Sequence, residues 1–267
     1  MNTTEMEKGS IFLVLFTVLM QAATGFFILK ELFIYTGYCS CNDKVLNISS
    51  SAATGIIILI ALLTALFHLG KPLNAIYTLN NLKSSWLSRE IFFVLIFSAI
   101  VFSCFLTDIF LKIKTVRLIF SLAGIIAGTG LIISMSGIYM LNSVPLWNNF
   151  STPAGFILTA IVTGTSLLLL MKEANKTDSF LYAVLFLAIL FSAINSILIF
   201  STGNLRLYTL LVARTILSLA AIISVILIYF SIIPNKIPVR LVLLLILLSS
   251  EVAGRIIFFT NYTKGGL

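Results

Sequence analysis

Long apolar runs alternate with short polar connections along the whole of this sequence. A helix needs about 20 apolar residues to cross the hydrocarbon core of a bilayer, and runs of about that length recur from beginning to end. Such runs predict helices, which cover residues 10–35, 49–68, 90–110, 116–140, 153–171, 179–201, 207–230 and 239–260. The pattern predicts an all-α integral membrane protein, a bundle of eight transmembrane helices.

Glycine and proline mark the predicted helix ends. Gly70 and Pro72 stop the second helix, and Pro153 falls in the first turn of the fifth, where proline is tolerated. An even number of helices puts both termini on one face of the membrane. Because no stretch is left over for a soluble domain, we expect a single polytopic membrane domain over residues 1–267.

The composition agrees with a membrane protein, and the distribution of charges among the connections predicts its orientation in the membrane. The sequence is 60% hydrophobic and 10% charged, with a mean hydropathy of +1.13, whereas soluble domains are about a quarter charged. Of the 17 lysines and arginines, nine lie in connections opposite the termini, six lie on the face of the termini, and Arg214 and Arg255 lie within helices. By the positive-inside rule this bias explains the net charge of +8 without a nucleic-acid partner. It also favours termini on the outer face, which is the periplasmic face if the membrane is a bacterial inner membrane.

Few residues could bind a metal ion or a haem. The three cysteines, Cys39, Cys41 and Cys104, are scattered, whereas iron–sulfur and zinc sites need about four ligands at defined spacing. The sequence has one histidine, and a transmembrane b-type haem usually takes two. We therefore expect no metal or haem on this protein.

His68 and Glu90 are the strongest candidates for chemistry. His68 ends the second predicted helix and Glu90 opens the third, so both lie at the same membrane face on one helical hairpin. Ionisable groups in a bilayer are costly and usually functional, and both groups can exchange protons with a quinol hydroxyl. Two structural interpretations stay open: His68 could snorkel or cap a helix end, and Glu90 could sit at a helix start capped by Ser88.

A second set of polar residues lies in later helices near the same face. Glu251 and Arg255 are spaced i, i+4, so they share a face and can pair. Glu251 lies about 13 Å from the outer end of its helix, and Arg214 lies at a comparable depth. Two interpretations stay open for these residues and for Arg89: ion pairing between helices, and support of a quinol site. Tyr139 could donate to a quinone carbonyl or belong to the aromatic belt, and the belt is favoured.

Lys30, Glu31 and Asp108 lie toward the opposite ends of their helices. We interpret them as ordinary charges at the membrane boundary. Trp86 and Trp147 lie in or beside the two connections on the outer face, residues 69–88 and 141–152, and could serve a docking surface or the belt.

Several segments in order resemble the membrane anchor subunit of bacterial dimethyl sulfoxide reductase, the DmsC family. The first is His68-Leu69-Gly70-x-Pro72, followed by an acidic residue, Glu90, at the start of the next helix. The later ones are Tyr139 with Val144-Pro145-x-Trp147, Thr152-Pro153-x-Gly155-Phe156-x-Leu158-Thr159, Arg214, and Glu251-x-x-Gly254-Arg255-x-x-Phe258. The resemblance covers most of the sequence from Phe67 onward.

The resemblance implies a function in anaerobic respiration. It implies an anchor for a molybdopterin catalytic subunit and an iron–sulfur electron-transfer subunit, and oxidation of menaquinol by the anchor. His68 and Glu90 match the family's quinol-site positions. The resemblance then implies that the catalytic partner subunit, and not the anchor, reduces the terminal acceptor.

Two other classes of function remain as alternatives. A secondary transporter would place its site on intramembrane charges and would need broken helices near the midplane, for which only Gly124, Gly128 and Gly130 give a hint. A lipid-modifying enzyme would need an acidic or Asp/His cluster for metal-assisted chemistry, and the sequence shows no such motif.

Overall fold

The computed structural model describes residues 3–37, 44–68, 75–111, 113–171, 178–199 and 205–260. Within them, eight helices are long and apolar enough to cross a membrane, and the predicted all-α fold is confirmed. A short extra helix, α3, lies between the second and third of these. The helices are α1 (Thr3–Tyr35), α2 (Lys44–His68), α3 (Ala75–Thr78), α4 (Trp86–Leu106), α5 (Lys114–Tyr139), α6 (Ser151–Met171), α7 (Asp178–Ile199), α8 (Leu205–Tyr229) and α9 (Ile237–Thr260).

The start of α4 differs from the prediction. The helix begins at Trp86, and its N-cap is Ser85, whose backbone is extended and whose side chain accepts a hydrogen bond from the Ser88 N–H at 3.3 Å. The interpretation of Ser88 as the cap is therefore wrong. Ser88 is already helical, and its hydroxyl donates to the Thr78 carbonyl oxygen at 2.6 Å. Glu90 is thus the fifth residue of the helix rather than its opening residue.

The protein divides into two compact units, residues 1–138 and residues 139–267. In the N-terminal unit, α1 packs against α2, and α2 packs against α4. In the C-terminal unit, α6 packs against α7 and α9, and α8 packs against the same two helices. The C-terminal unit is therefore a ring of four helices.

Glycines on α5 let aromatic rings approach its backbone. A Cβ atom at Gly124 would lie 2.5 Å from Cε1 of Phe27 on α1, and one at Gly130 would lie 2.5 Å from Cε1 of Phe93 on α4. The helix continues through both positions. These glycines therefore serve close packing, and the irregularity that they suggested for a transporter does not occur.

Substitution of Gly130 should show this packing directly. Gly130→Ala is expected to destabilise the protein by about 1–3 kcal/mol, because Phe93 must leave its position. Gly55→Ala on α2 is the matched control, since a Cβ there meets nothing within 4 Å, and should be neutral or slightly stabilising through its higher helix propensity. Thermal unfolding in detergent measures both, and equal effects would contradict this explanation.

Lys30 and Glu31 are not boundary charges, because both are buried, with 1% and 2% of their surface exposed. Arg117 of α5 contacts Glu31 Oε1 at 2.6 Å through Nη2 and donates from Nε to Asp108 Oδ1 at 2.8 Å. Asp108 lies in the π-helical turn that follows α4. Buried charges need such partners, so this network joins α1, α5 and the end of α4.

The C-terminal unit contains a comparable buried pair. Arg240 of α9 contacts Asp178 Oδ2 of α7 at 3.0 Å, and it also donates to the Leu169 carbonyl oxygen of α6. Asn235, in the turn before α9, donates to the same carboxylate at 3.2 Å. Within each unit, therefore, buried ion pairs join helices near one of their ends.

Candidate functional site

Glu90 lies on the buried face of α4, with 7% of its surface exposed. The buried positions that follow it, Val94, Phe97, Val101 and Cys104, continue one helical stripe of apolar side chains. Within the described residues its carboxyl group has no hydrogen-bond or ion-pair partner. An acid thus occupies a position at which packing alone would select an apolar residue.

His68 is the last residue of α2, and its side chain lies outside the described part of the structure. α2 packs against α4, the helix of Glu90. The direct pairing of His68 with Glu90 therefore stays a prediction, as does the role of both residues.

The first turn of α4 binds the connection that precedes it. Arg89 donates from Nε to the Leu82 carbonyl oxygen at 2.9 Å and from Nη2 to the next carbonyl at 2.6 Å. Its guanidinium lies 4.3 Å from the centre of the Trp86 ring. Arg89 thus points back over the connection and holds the turn between α3 and α4 in place.

Four helices of the C-terminal unit converge on Glu251. Its Oε2 accepts a hydrogen bond from Thr159 of α6 at 2.7 Å, and its Oε1 accepts one from Ser192 of α7 at 2.8 Å. Arg214 of α8 lies 3.5 Å from Oε1 and donates to the Ser192 hydroxyl at 2.7 Å. We call these four residues the Glu251 cluster. The predicted ion pairing between helices occurs here, and Arg214 supplies the cation.

Arg255 lies one turn beyond Glu251 and has a different environment. Its guanidinium lies 3.8 Å from the centre of the Phe156 ring, a cation–π contact within the bundle. A Cβ at Gly254 would occupy the position of the Arg214 guanidinium. A glycine at this position therefore allows Arg214 to reach across to α9.

A small cavity of about 30 Å³ adjoins these side chains. By the same measure of volume, one water needs about 10–15 Å³, so the cavity can hold a small ion or one to two waters. Its lining combines charged, neutral polar and apolar residues: Thr152, Gly155, Thr159, Asn195, Ser196, Arg214, Glu251, Gly254, Arg255, Ile257 and Phe258.

Tyr139 lies in an aromatic cluster, and its assignment to the aromatic belt stays a prediction. Its ring lies 5.2–5.7 Å, centre to centre, from those of Trp147, Phe156, Phe258 and Phe259. Trp147 stacks on Phe258 at 5.0 Å and donates from Nε1 to its carbonyl oxygen at 3.1 Å. With 6% of its surface exposed, Trp147 is a core residue, so neither the docking nor the belt interpretation applies to it.

The structure distributes the predicted residues between the two units. Tyr139, Arg214, Glu251 and Arg255 share the C-terminal unit, whereas Arg89 and Glu90 belong to the N-terminal unit. The sequence analysis missed the hydroxyl partners of the Glu251 cluster and the role of Gly254. The sequence contains one sign of these hydroxyl partners: Thr152, Thr159 and Thr163 repeat at helical spacing along α6.

Known proteins related to this one identify its family. The DMSO reductase anchor subunit (DmsC) family matches residues 5–207. The C subunit of anaerobic dimethyl sulfoxide reductase from Escherichia coli (strain K12) is 27% identical over 192 residues, 70% of this protein and 67% of the relative. The C subunit of the Haemophilus influenzae (strain ATCC 51907 / DSM 11121 / KW20 / Rd) enzyme is 29% identical over 174 residues, 61% of this protein and 59% of the relative. The alignments thus span about three fifths to two thirds of the relatives' length. With its eight apolar helices, the chain is a multi-pass membrane protein that belongs to the DMSO reductase anchor subunit (DmsC) family.

Proposed function

We propose that this protein is the membrane anchor and quinol-oxidising subunit of a molybdopterin oxidoreductase complex in the inner membrane of a bacterium. It binds menaquinol near the periplasmic face and passes electrons to an iron–sulfur partner subunit. That subunit passes the electrons on to a molybdopterin catalytic subunit in anaerobic respiration. Family membership supports the role as anchor. The single observation that supports quinol chemistry here is the environment of Glu90.

Glu90 differs from the other buried acids of the described residues. Glu31 and Asp108 pair with Arg117, Asp178 pairs with Arg240, and Glu251 pairs with Arg214. A structural acid in this protein therefore has a cation within reach, and Glu90 has none among the described residues. Because such a group in a membrane is costly and usually functional, an acid with no partner among the described residues is suited to a substrate's hydroxyl group.

The reaction needs two proton acceptors and an exit for two electrons. Oxidation of one quinol yields one quinone, two protons and two electrons. In this proposal a quinol hydroxyl donates a hydrogen bond to Glu90, which takes the proton, and His68 serves the second hydroxyl. The protons leave toward the periplasm, and the electrons pass to the partner's nearest cluster. Arg89 contributes by positioning the connection between the helices of His68 and Glu90.

An uncharged connection with several exposed apolar side chains is available for docking of the partner. Residues 140–150 carry no charge, and Met140, Leu141 and Phe150 expose 43%, 43% and 83% of their surface. Apolar and aromatic side chains are enriched in the cores of protein interfaces. This connection and the exposed Trp86 ring are the surfaces that we assign to the iron–sulfur subunit.

Substitution of Glu90 and His68 in the assembled complex tests this function. Glu90→Gln keeps the size of the side chain but cannot accept the proton, so quinol-dependent reduction of the terminal acceptor should fall at least about 100-fold. His68→Ala should act in the same direction, and Glu90→Asp, which keeps the carboxylate, should retain part of the rate.

The control is reduction of the terminal acceptor with a reduced dye that donates directly to the partner subunits. This activity should stay at the wild-type level if the complex assembles. Quinol oxidation within about twofold of wild type in Glu90→Gln, with the dye activity intact, would refute the role of Glu90 as a proton acceptor.

A further inference from the structure

The cavity of the C-terminal unit has charged and neutral polar groups in its lining and lies away from the helix ends. Arg214 and Glu251 each lie nine residues from the nearer ends of α8 and α9, which is about 13 Å at 1.5 Å per residue. Its volume of about 30 Å³ fits a small ion or one to two waters. The quinol site proposed above involves other residues, so the inference below does not depend on it.

Among the described residues that line the cavity, the charges do not balance. Its lining carries two guanidinium groups, of Arg214 and Arg255, and one carboxylate, of Glu251. Both oxygens of that carboxylate already accept hydrogen bonds, from Thr159 and Ser192. A buried excess charge is costly unless an opposite charge compensates it.

Arg214 also has an unused donor. Its residue is 7% exposed, and its Nε is buried without a hydrogen-bond partner among the described residues. The neutral groups nearby cannot supply negative charge, and two of their hydroxyls are already engaged: Thr152 donates to the Trp147 carbonyl oxygen at 2.7 Å, and Ser196 donates to that of Ser192 at 2.7 Å. An acceptor that carries negative charge would satisfy both the Nε of Arg214 and the excess charge of the lining.

We propose that this cavity binds one small monovalent anion, of the size of chloride, between the guanidinium groups of Arg214 and Arg255. The anion accepts hydrogen bonds from both groups and neutralises the excess charge of the lining. Gly254 contributes by leaving space for the Arg214 guanidinium, whose position a Cβ atom would occupy. Water is the competing occupant.

Halide titration of the full-length protein in detergent tests the proposal. Chloride or bromide replaces gluconate at constant ionic strength, and thermal unfolding is followed. The midpoint should rise and then saturate. Bromide should also quench Trp147 saturably in a Trp86→Phe background, because Trp147 stacks at 5.0 Å on Phe258, which lines the cavity.

Three variants separate a specific site from a general salt effect. Arg255→Gln should weaken halide binding about tenfold or more, as expected for the loss of a charged hydrogen-bond donor. Gly254→Ala should weaken it as well, because the new methyl group displaces Arg214. Lys236→Gln removes the same charge from an exposed position of the same unit and should bind halide like the wild type.

Two results would overturn the proposal. A wild-type response that is absent or never saturates would show that the cavity holds water only, and this result needs no variant. Halide binding of wild-type strength in folded Arg255→Gln or Gly254→Ala would place the bound anion elsewhere.

Discussion

Arg214→Met should lower the free energy of unfolding by about 3–5 kcal/mol, among the largest effects expected of a single substitution in this protein. The guanidinium of Arg214 lies 3.5 Å from Glu251 Oε1 and 2.7 Å from the Ser192 hydroxyl oxygen. Removing it leaves the Glu251 carboxylate, whose residue is only 4% exposed, without its ion-pair partner on α8, and it leaves the Ser192 hydroxyl oxygen without its charged donor. The cost comes from these buried polar groups that lose a partner rather than from the lost attraction.

The double variant Arg214→Met/Glu251→Met distinguishes these two causes. It removes both charges and fills the space with apolar side chains, so its stability should return to within about 1–2 kcal/mol of the wild type. Unfolding in mixed detergent micelles measures the singles and the double in one thermodynamic cycle. Lys236→Met, at an exposed position, should change stability by less than about 0.5 kcal/mol. Equal losses in the single and double variants would contradict the argument.

The length of the apolar runs predicted the number of membrane-spanning helices seen in the described residues and most of their C-terminal ends. The last helix was expected at residues 239–260 and extends over Ile237–Thr260, because a span must cover a hydrocarbon core of fixed thickness. The starts were less accurate: α1 begins at Thr3 and α2 at Lys44, seven and five residues before the predicted positions. Hydropathy marks where lipid begins, whereas backbone hydrogen bonds continue into polar turns outside it.

The partners of the charged residues could not be predicted from spacing. Glu251 and Arg255 share a helix face, yet the ion pair of Glu251 comes from Arg214 on α8. Likewise, Lys30 and Glu31 look terminal in the sequence, but both are buried, and Glu31 pairs with Lys30 and with Arg117. A helix's own periodicity shows which residues share a face, but the rotation of neighbouring helices decides which faces meet. The family resemblance, in contrast, rested on short ordered motifs and is confirmed.

Glu90→Leu should stabilise the protein by about 1–3 kcal/mol, since it removes a buried polar group that has no partner among the described residues, while it abolishes quinol oxidation. The new side chain would continue the apolar stripe of Val94 and Phe97 on α4.

Glu31→Leu in the same unit is the matched substitution, and the opposite effect is expected for it. Glu31 lies 2.6 Å from both Lys30 Nζ and Arg117 Nη2. Its loss should therefore destabilise the protein by about 3–5 kcal/mol. Unfolding of the two variants in the same detergent decides between the roles. If Glu90→Leu loses stability as Glu31→Leu does, the carboxyl group of Glu90 has a structural role, and the quinol site loses its main support.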